Sequence, residues 1–501
     1  ALAAALLWFV NPVQIQSVTY IVQRMNSMAA MFYVLSLWLY MRGRLTSSAR
    51  AGRVWLAGAA GAGLCALGSK EIAATLPLLI FLCEWYFIQV LSRAWLKRAL
   101  PLILALAGLF LFIVFFHLGA DPLAAIQGTY RYREFSLAER LLTELRVVVF
   151  YLSLFFYPAP QRLNLDHHFA LSGSLLEPVA TLLAGFLIVF LAGAAILGAR
   201  RGSPAAAKDE RRQPDSARLI LLFSFALAWF LLNLLIESTV IGLEIVFEHR
   251  LYLPSMFLAL PLVATAHRLI EPAWLKTGAL TLLLLAGSAW TVERNELWRD
   301  PIALWTDSAA KSPGKARTHN NLAVVLWEDG QLARAEFEAG EAIRLDPDDV
   351  NAFNCLGNIY KDQGRLAQAV RAYRNALRLE PASVDAYIGL ANIAAAQGRL
   401  GEAADLLDKG LALEPRNLRV QVNLASVYAM RGMSTRAIAG FEAAVRLSPE
   451  NPDIQYNLGL AYAETGRTGE ALVALRTAIR LDPADREAAR KISELERRLR
   501  R

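Results

Sequence analysis

Two hydrophobic patterns divide this chain of 501 residues. Over about the first 290 residues, apolar stretches alternate with short polar loops, and nine such stretches are present: 27–41, 54–68, 72–91, 99–117, 141–157, 175–198, 218–236, 251–270 and 273–291. A helix of about 20 apolar residues crosses the ~30 Å hydrocarbon core of a bilayer. The pattern therefore predicts a polytopic membrane domain of α-helices over residues 1–292.

Basic loops between these stretches predict their orientation. The loops 42–53, 92–98 and 199–217 are rich in Arg and Lys, and short loops of this kind face the cytoplasm. Three stretches separate the second loop from the third, so one of them must fail to cross. We assign this to 141–157, because Glu144 and Arg146 would be costly at mid-bilayer. This assignment places five polar segments on the outer face: 11–26, Lys70 with Glu71, 118–140, 158–174 and 237–250. The residues after the last stretch, 273–291, are then expected on the same side.

Beyond residue 315 the pattern changes to a strict period of 34 residues. Each period ends near a proline that follows a glycine by 17 residues, namely Pro347, Pro381, Pro415, Pro449 and Pro483 after Gly330, Gly364, Gly398, Gly432 and Gly466. This period is the signature of tetratricopeptide repeats, helix pairs that stack into a solenoid. We predict five repeats over 316–485, a degenerate half repeat or connector over 293–315 and a capping helix over 486–501. The whole chain is therefore expected to be all-α, with the membrane domain followed by an α-solenoid.

Small residues at fixed positions of each repeat predict close helix packing. The first helix carries Leu followed by Ala or Gly, and the second helix carries an alanine at one position: Ala335, Ala369, Ala403, Ala437 and Ala471. We expect these positions to be buried.

Composition and charge exclude several function classes. The formal net charge of +8 comes with Arg-rich loops between apolar stretches, which favours contact with anionic lipid over nucleic-acid binding. The three cysteines, Cys65, Cys83 and Cys355, are too few and too scattered for a disulfide framework or a zinc site.

Asparagines recur on the predicted concave face of the repeats, at Asn320, Asn354, Asn358 and Asn392. An amide side chain donates and accepts at once and can therefore hold the backbone of an extended peptide. We expect these four residues to bind a protein or peptide; the alternative is that Asn is simply a common residue of this helix.

Four segments of the first half resemble one family. They are NPVQIQSVTYIVQRMNSMAAMFYVLSLWLY at 11–40, LGSKE at 67–71, RLNLDHHF at 162–169 and ESTVIGLEIVFEHRLYLPS at 237–255. With the repeats behind them, they resemble the transmembrane and tetratricopeptide-repeat family, whose eukaryotic members are protein O-mannosyltransferases of the glycosyltransferase C superfamily. The resemblance implies a polyprenyl-phosphate sugar as donor.

The same resemblance implies a catalytic acidic residue in a first outer loop. That loop would precede residue 1, and the apolar start ALAAALLWFV is expected to be the end of a helix whose beginning is missing. The family's first segment usually carries His before the proline and Glu in the next turn, where this chain has Asn11 and Gln16.

Charged residues near the predicted outer face supply candidate site residues. Cations there would bind the donor phosphate and stabilise it as it leaves, and the candidates are Arg24, Lys70, His249 and Arg250. The alternatives are that Lys70 pairs with Glu71 or extends to the membrane interface, and that Arg250 pairs with Glu248.

Carboxylates of the same segments would orient the acceptor hydroxyl or hold a divalent cation. The candidates are Glu237, Glu244 and Glu248, with Asp166, His167 and His168 as weak metal candidates, since two adjacent His point apart on a regular element.

Two functions are compatible with this sequence. One is a glycosyltransferase that moves a sugar, mannose being one option, from a polyprenyl-phosphate carrier to a hydroxyl of a protein held by the repeats; a lipid-linked saccharide ligase would differ only in acceptor. The other is a non-catalytic, membrane-anchored repeat scaffold for protein–protein interaction. Short apolar stretches and compact loops favour a bacterial inner membrane, with the repeats in the periplasm.

Overall fold

The computed structural model describes residues 1–19, 24–89, 121–130, 133–202, 215–239 and 242–499, with a few positions between 94 and 108. Every regular element in these residues is helical. The chain divides into two compact units, Ala1–Ser312 and Pro313–Arg501.

Twelve α-helices are described in the first unit, along with short 3₁₀ turns. They are α1 (Leu2–Phe9), α2 (Ile15–Thr19), α3 (Arg24–Leu45), α4 (Ala49–Ser69), α5 (Leu76–Cys83), α6 (Pro122–Gly128), α7 (Leu137–Phe156), α8 (Ala180–Gly202), α9 (Asp215–Leu234), α10 (Ala259–Leu269), α11 (Ala273–Leu297) and α12 (Pro301–Lys311). Within the described residues, four helical segments are long and apolar enough to cross a membrane: Glu71–Ile88, Ala180–Arg201, Asp215–Leu234 and Ala273–Leu297. Helix α7, from the stretch that we expected not to cross, is not among them.

The prediction of one continuous span over 251–270 is wrong. The structure has 3₁₀ turns at Glu248–Leu251 and Pro254–Phe257, followed by the 11-residue helix α10. A helix of that length rises only about 16 Å. Pro254, which has no backbone N–H to donate, stands at the start of the second turn, and the Trp229 indole donates to the Leu253 carbonyl at 2.8 Å. The stretch predicted at 99–117 lies largely outside the described residues.

A helical hairpin of α3 and α4 places Lys70. The two helices approach closely where Gly43 meets Gly52, because a Cβ on either glycine would lie 3.2 Å from the carbonyl oxygen of the other. The Ser36 hydroxyl also donates to the Ala59 carbonyl at 2.7 Å. Lys70 follows α4 in an extended conformation, just before the 3₁₀ turn Glu71–Thr75. Its side chain is therefore held at a helix junction.

The second unit consists of five helix pairs and a final helix. The pairs are α13 (Ala316–Glu328) with α14 (Leu332–Leu345), α15 (Val350–Asp362) with α16 (Leu366–Leu379), α17 (Val384–Ala396) with α18 (Leu400–Leu413), α19 (Leu418–Met430) with α20 (Ser434–Leu447), and α21 (Pro452–Glu464) with α22 (Thr468–Leu481), before α23 (Arg486–Leu499). The glycine between the helices of each pair has a positive φ of 68–80°, which only glycine adopts without strain. All five alanines predicted to pack, from Ala335 to Ala471, are fully buried.

Candidate functional site: a buried polar cluster around one turn

The 3₁₀ turn Glu248–Leu251 is the centre of the site. Its residues Glu248, His249 and Arg250 are buried, with 2%, 7% and 2% of their surface exposed. Successive residues of a 3₁₀ helix are about 120° apart, so these three side chains leave the turn in different directions.

Two distant segments fix this turn. The Tyr151 hydroxyl of α7 donates to the Phe247 carbonyl at 3.0 Å and accepts from the Phe247 N–H at 2.9 Å. The His249 N–H donates to Gln16 Oε1 at 2.8 Å, and the Ser17 hydroxyl donates to the His249 carbonyl at 3.2 Å. The Gln16 side chain thus binds backbone here.

Five charged side chains form what we call the polar cluster: Lys70, Arg140, Glu144, Glu237 and Arg250. Lys70 Nζ lies 3.1 Å from Glu237 Oε1, Arg140 lies 3.0 Å from Glu144 Oε1, and Arg250 lies 3.8 Å from the same Glu144 oxygen. Four of the five side chains are at most 3% exposed, whereas Lys70 is 13% exposed. Lys70 is therefore the most accessible cation of the cluster.

Arg140 holds the segment that supplies Glu237. Its guanidinium donates to the carbonyls of Glu237 at 2.7 Å, Thr239 at 3.1 Å and Glu244 at 3.1 Å, and also to the Leu243 carbonyl. Sequence reasoning missed Arg140 and used Glu144 only as an argument about membrane crossing. The available signal was their i,i+4 spacing, which places two opposite charges on one face of a helix.

The polar cluster carries excess positive charge. Three cations face two carboxylates, and burial raises the pKa of Glu144 to about 7, which lowers its negative charge at neutral pH. The cluster therefore holds at least one uncompensated positive charge.

His249 contributes a neutral ring beside the cluster. Burial, and then the positive charges of Lys70 and Arg250, lower the pKa of His249 to about 2. Its Nδ1 and the Oε2 of Glu237 are buried without a hydrogen-bond partner among the described residues. Each of these two buried atoms therefore has unused hydrogen-bonding capacity.

Both alternative pairings expected from the sequence are wrong. Lys70 pairs with Glu237 and not with the neighbouring Glu71, and the carboxylate nearest Arg250 is Glu144 and not Glu248. Arg24 is exposed at the start of α3, where its Nε donates to the Val18 carbonyl at 3.4 Å. It makes none of the contacts that the structure describes for the polar cluster.

Glu248 belongs to a second group on another side of the turn. Its Oε1 accepts from the Asn164 N–H at 2.5 Å and lies 3.1 Å from His167 Nε2. Its Oε2 lies 3.9 Å from the buried Arg294 guanidinium. Glu244 is separate from this group and lies 2.5 Å from Arg133.

The weak metal candidates are not brought together as a metal site. His167 turns to Glu248 and His168 is exposed, so the two adjacent rings diverge. No group of three or more His, Cys, Asp or Glu side chains suited to a metal ion is found in the described part of the chain.

The four predicted groove asparagines differ in their surroundings. Asn320 and Asn354 are buried, and the Oδ1 of each has no hydrogen-bond partner among the described residues. Asn354 Nδ2 donates to Ser383 at 3.0 Å, whereas Asn358 Oδ1 accepts from the Tyr373 hydroxyl at 2.7 Å. Asn392 is exposed.

Comparison with protein families identifies the repeats. A tetratricopeptide-repeat model matches residues 289–350, 356–417 and 422–486, and a second model of the same repeat matches 339–371. The second unit is a tetratricopeptide-repeat solenoid. Its concave surface is of the kind that binds protein or peptide.

Similar proteins are found for parts of the chain. The human protein named Protein O-mannosyl-transferase TMTC1 is 33% identical over 120 residues, which are 23% of this chain and 13% of that protein. The chain thus spans only a small part of the curated relative. The repeat proteins YrrB, described as having an unusual peptide-binding site, and TTC0263 of Thermus thermophilus are 24% and 22% identical. They cover 37% and 36% of this chain, and 96% and 98% of their own, with TM-scores of 0.30 and 0.32.

Proposed function

We propose that this protein is a membrane glycosyltransferase that moves a sugar, mannose in the simplest case, from a polyprenyl-phosphate carrier to a hydroxyl of a protein. The observation that carries the proposal is the excess positive charge of the polar cluster, buried within a unit whose described residues include four helices long and apolar enough to cross a membrane.

Burying unpaired positive charge is costly unless an anion compensates it. A phosphate group supplies that anion, and cations that hold it also stabilise the charge that develops as the sugar–phosphate bond breaks. Lys70, the most exposed of the three cations, meets the phosphate first, while Arg140 and Arg250 supply positive potential from behind it. The named activity of the human relative supports this choice of chemistry.

The repeats hold the acceptor in this proposal. The exposed Asn392 is the group that would contact its backbone first. The unpartnered amide oxygens of Asn320 and Asn354 are buried, and they would contact the acceptor only after local rearrangement. We place the protein in a bacterial inner membrane with its repeats in the periplasm. This placement requires residues 251–270 to cross the membrane as a broken segment of 3₁₀ turns and α10, not as one continuous helix.

A non-catalytic scaffold is the second candidate. It is favoured by one observation, that each candidate carboxylate already has a partner of its own: Glu237 has Lys70, Glu244 has Arg133 and Glu248 has His167. Under this hypothesis the charges only fix the loops, and the repeats recruit partners.

Sugar transfer in proteoliposomes separates the two. The purified full-length protein is given radiolabelled polyprenyl-phosphate mannose and a mixture of cell proteins, with and without EDTA to test the need for a divalent cation. We expect label in protein, and a loss of at least tenfold in Lys70→Met and Arg250→Met. The matched controls are Lys409→Met and Arg299→Met, both exposed, and a thermal melt of every variant reports folding. If no sugar is transferred from any of several donors, and Lys70→Met binds protein partners as well as the wild type does, the scaffold hypothesis is supported and the glycosyltransferase is not.

A further inference from the structure

The tip of the hairpin formed by α3 and α4 carries cations that the proposed sugar transfer does not use. We propose that this tip binds the headgroup of an anionic phospholipid, such as phosphatidylglycerol, whose acyl chains lie along one face of α3. This inference does not depend on the proposed glycosyltransferase, because it uses none of the residues of the polar cluster.

The hairpin tip has an excess of positive charge. Arg42, Arg50 and Arg53 are all exposed, and none of them forms an ion pair with another described residue. Arg44 is used within the protein, because its Nε lies 2.5 Å from Oε1 of the buried Glu84. The tip therefore presents three positive charges to its surroundings. A guanidinium group binds phosphate oxygens in a two-pronged, geometrically specific way.

Arg42 contacts two indole rings. The central carbon of its guanidinium lies 5.6 Å from the centre of the Trp38 ring and 6.0 Å from the centre of the Trp55 ring. The two rings meet edge to face, with their centroids 5.9 Å apart. Tryptophan is enriched at the level of the lipid headgroups, where hydrocarbon meets water. The indole contacts therefore hold one of the three cations at a place suited to a lipid phosphate.

The two helices of the hairpin keep the three cations together. Gly43, next to Arg42, approaches Gly52, next to Arg53, so closely that a Cβ on either glycine would lie 3.2 Å from the carbonyl oxygen of the other. Arg50 and Arg53 are three residues apart within α4 and therefore share one face of that helix. The cations belong to one packed helix end.

An exposed apolar stripe leads along α3 to Arg42. Its side chains are spaced by three or four residues, which places them and Arg42 on one face of the helix. They are Met28, Met31, Leu35 and Trp38, which are 39–57% exposed. Helix α3 is not among the four most apolar helices named above, but Arg24 and Arg42 lie about 27 Å apart along its axis. That separation is close to the ~30 Å thickness of the hydrocarbon core.

The combination of stripe and cations favours a lipid as the occupant. An acyl chain covers an apolar stripe that ends at an arginine, and the phosphate of the same molecule meets that arginine. The unit contains, in its described part, four helices long and apolar enough to cross a membrane, so lipid surrounds this hairpin at high concentration. The basic loop 42–53 is predicted to face the cytoplasm, and the cytoplasmic leaflet is rich in anionic lipid.

Quenching of tryptophan fluorescence by brominated lipid tests the site. The purified full-length protein in neutral-detergent micelles is titrated with phosphatidylglycerol brominated in its acyl chains and, in parallel, with phosphatidylcholine of the same chains. We expect the wild type to bind phosphatidylglycerol at least about tenfold more tightly. The triple variant Arg42→Gln/Arg50→Gln/Arg53→Gln should lose this preference, at about fivefold for each arginine, and 0.5 M salt should weaken binding to the wild type.

Two further variants locate the lipid on the hairpin. The matched control, Arg371→Gln/Arg374→Gln/Arg378→Gln, removes three exposed arginines of the repeats and should keep the preference of the wild type. Trp38→Phe leaves every charge in place and should abolish part of the quenching, because this indole lies on the stripe.

Equal affinity of the wild type for the two lipids overturns the proposal. So does a triple variant that binds phosphatidylglycerol as tightly as the wild type, or a control variant that loses as much affinity as the triple variant. Unchanged quenching in Trp38→Phe places the lipid elsewhere, and crosslinking of a photo-reactive residue at position 38 to a polypeptide in native membranes identifies a protein as the occupant. Should the triple variant fold poorly in a thermal melt, the comparison with Trp38→Phe decides the question.

Discussion

The two units use charge in opposite ways. In the first unit Arg140 and Glu144 form an ion pair with side chains only 0% and 3% exposed, and the arginine also binds four backbone carbonyls. In the second unit Arg419 and Asp385 form a pair at 2.7 Å with side chains 65% and 59% exposed. The buried pair holds a loop and the site residues in place. The exposed pair lies on the surface of a solenoid whose fold is already determined by its apolar packing positions.

The largest effect is expected from breaking the buried pair. Arg140→Met leaves Glu144 with less compensation and removes the donors of the loop carbonyls, so unfolding should become easier by about 3–5 kcal/mol. The free energy of unfolding is measured by titrating the protein in mixed micelles with SDS and monitoring tryptophan fluorescence. Arg299→Met, whose side chain is 75% exposed, should change it by less than about 0.5 kcal/mol. A cost below about 1 kcal/mol for Arg140→Met would erase the contrast between the units.

A second change tests packing in the repeats. The ring of Tyr373 fills the space beside Gly357 and Gly389, and a Cβ on Gly389 would overlap it. Gly389→Ala should therefore destabilise the repeats by about 1–3 kcal/mol, measured by urea unfolding with far-ultraviolet circular dichroism. Gly340→Ala, within α14 and with no atom near its Cβ position, should instead stabilise by up to about 1 kcal/mol. Equal effects of the two alanines would contradict close packing at Tyr373.

A third prediction concerns pH and His249. Its pKa is about 2 in the folded protein and 6.5 in the unfolded chain, so only the unfolded state takes up a proton as the pH falls below 6.5. The contribution of neutral His249 to the free energy of unfolding is therefore fully present above pH 6.5, and it is lost as the pH falls below 6.5. Between pH 6.5 and 5.5 the wild type should lose about 1 kcal/mol more than His249→Gln. Parallel pH profiles of the two proteins in the SDS titration would show that His249 takes up its proton while folded.

The smallest effect is expected at the exposed pair. Asp385→Asn should change the stability of the repeats by about 1 kcal/mol or less, and the difference should disappear at 1 M salt, where the Debye length is about 3 Å. A larger, salt-independent cost would place this pair in the same class as Arg140 and Glu144.

The repeat unit could be predicted closely because its contacts are local. A glycine with positive φ and a small residue at each packing position recur at one spacing, and a single period therefore specifies five similar helix pairs. The exceptions are individual side chains: Asn358 is engaged by Tyr373 within its own repeat, while Asn392 remains exposed.

The first unit could be predicted only in part, because its decisive contacts link distant segments. The sequence indicated that Lys70, Glu237, His249 and Arg250 belong to polar segments on one side, and the structure brings these residues together. It did not reveal that Lys70 pairs with Glu237, nor that Arg140 holds the loop, since no periodicity encodes which loop meets which. The span over 251–270 was predicted wrongly for a related reason: hydropathy alone does not register turns that proline and buried polar groups impose.

The turn Glu248–Leu251 has a consequence for how this protein tolerates insertions and deletions. Tyr151 anchors the chain at Phe247, and each further residue advances the direction by a third of a revolution. Loss or gain of a single residue just before the turn would rotate its side chains. The Glu248 carboxylate, the His249 imidazole and the Arg250 guanidinium would then each point toward a position that one of the other two occupies now. A change of one residue in length would therefore give each of these groups the wrong partner.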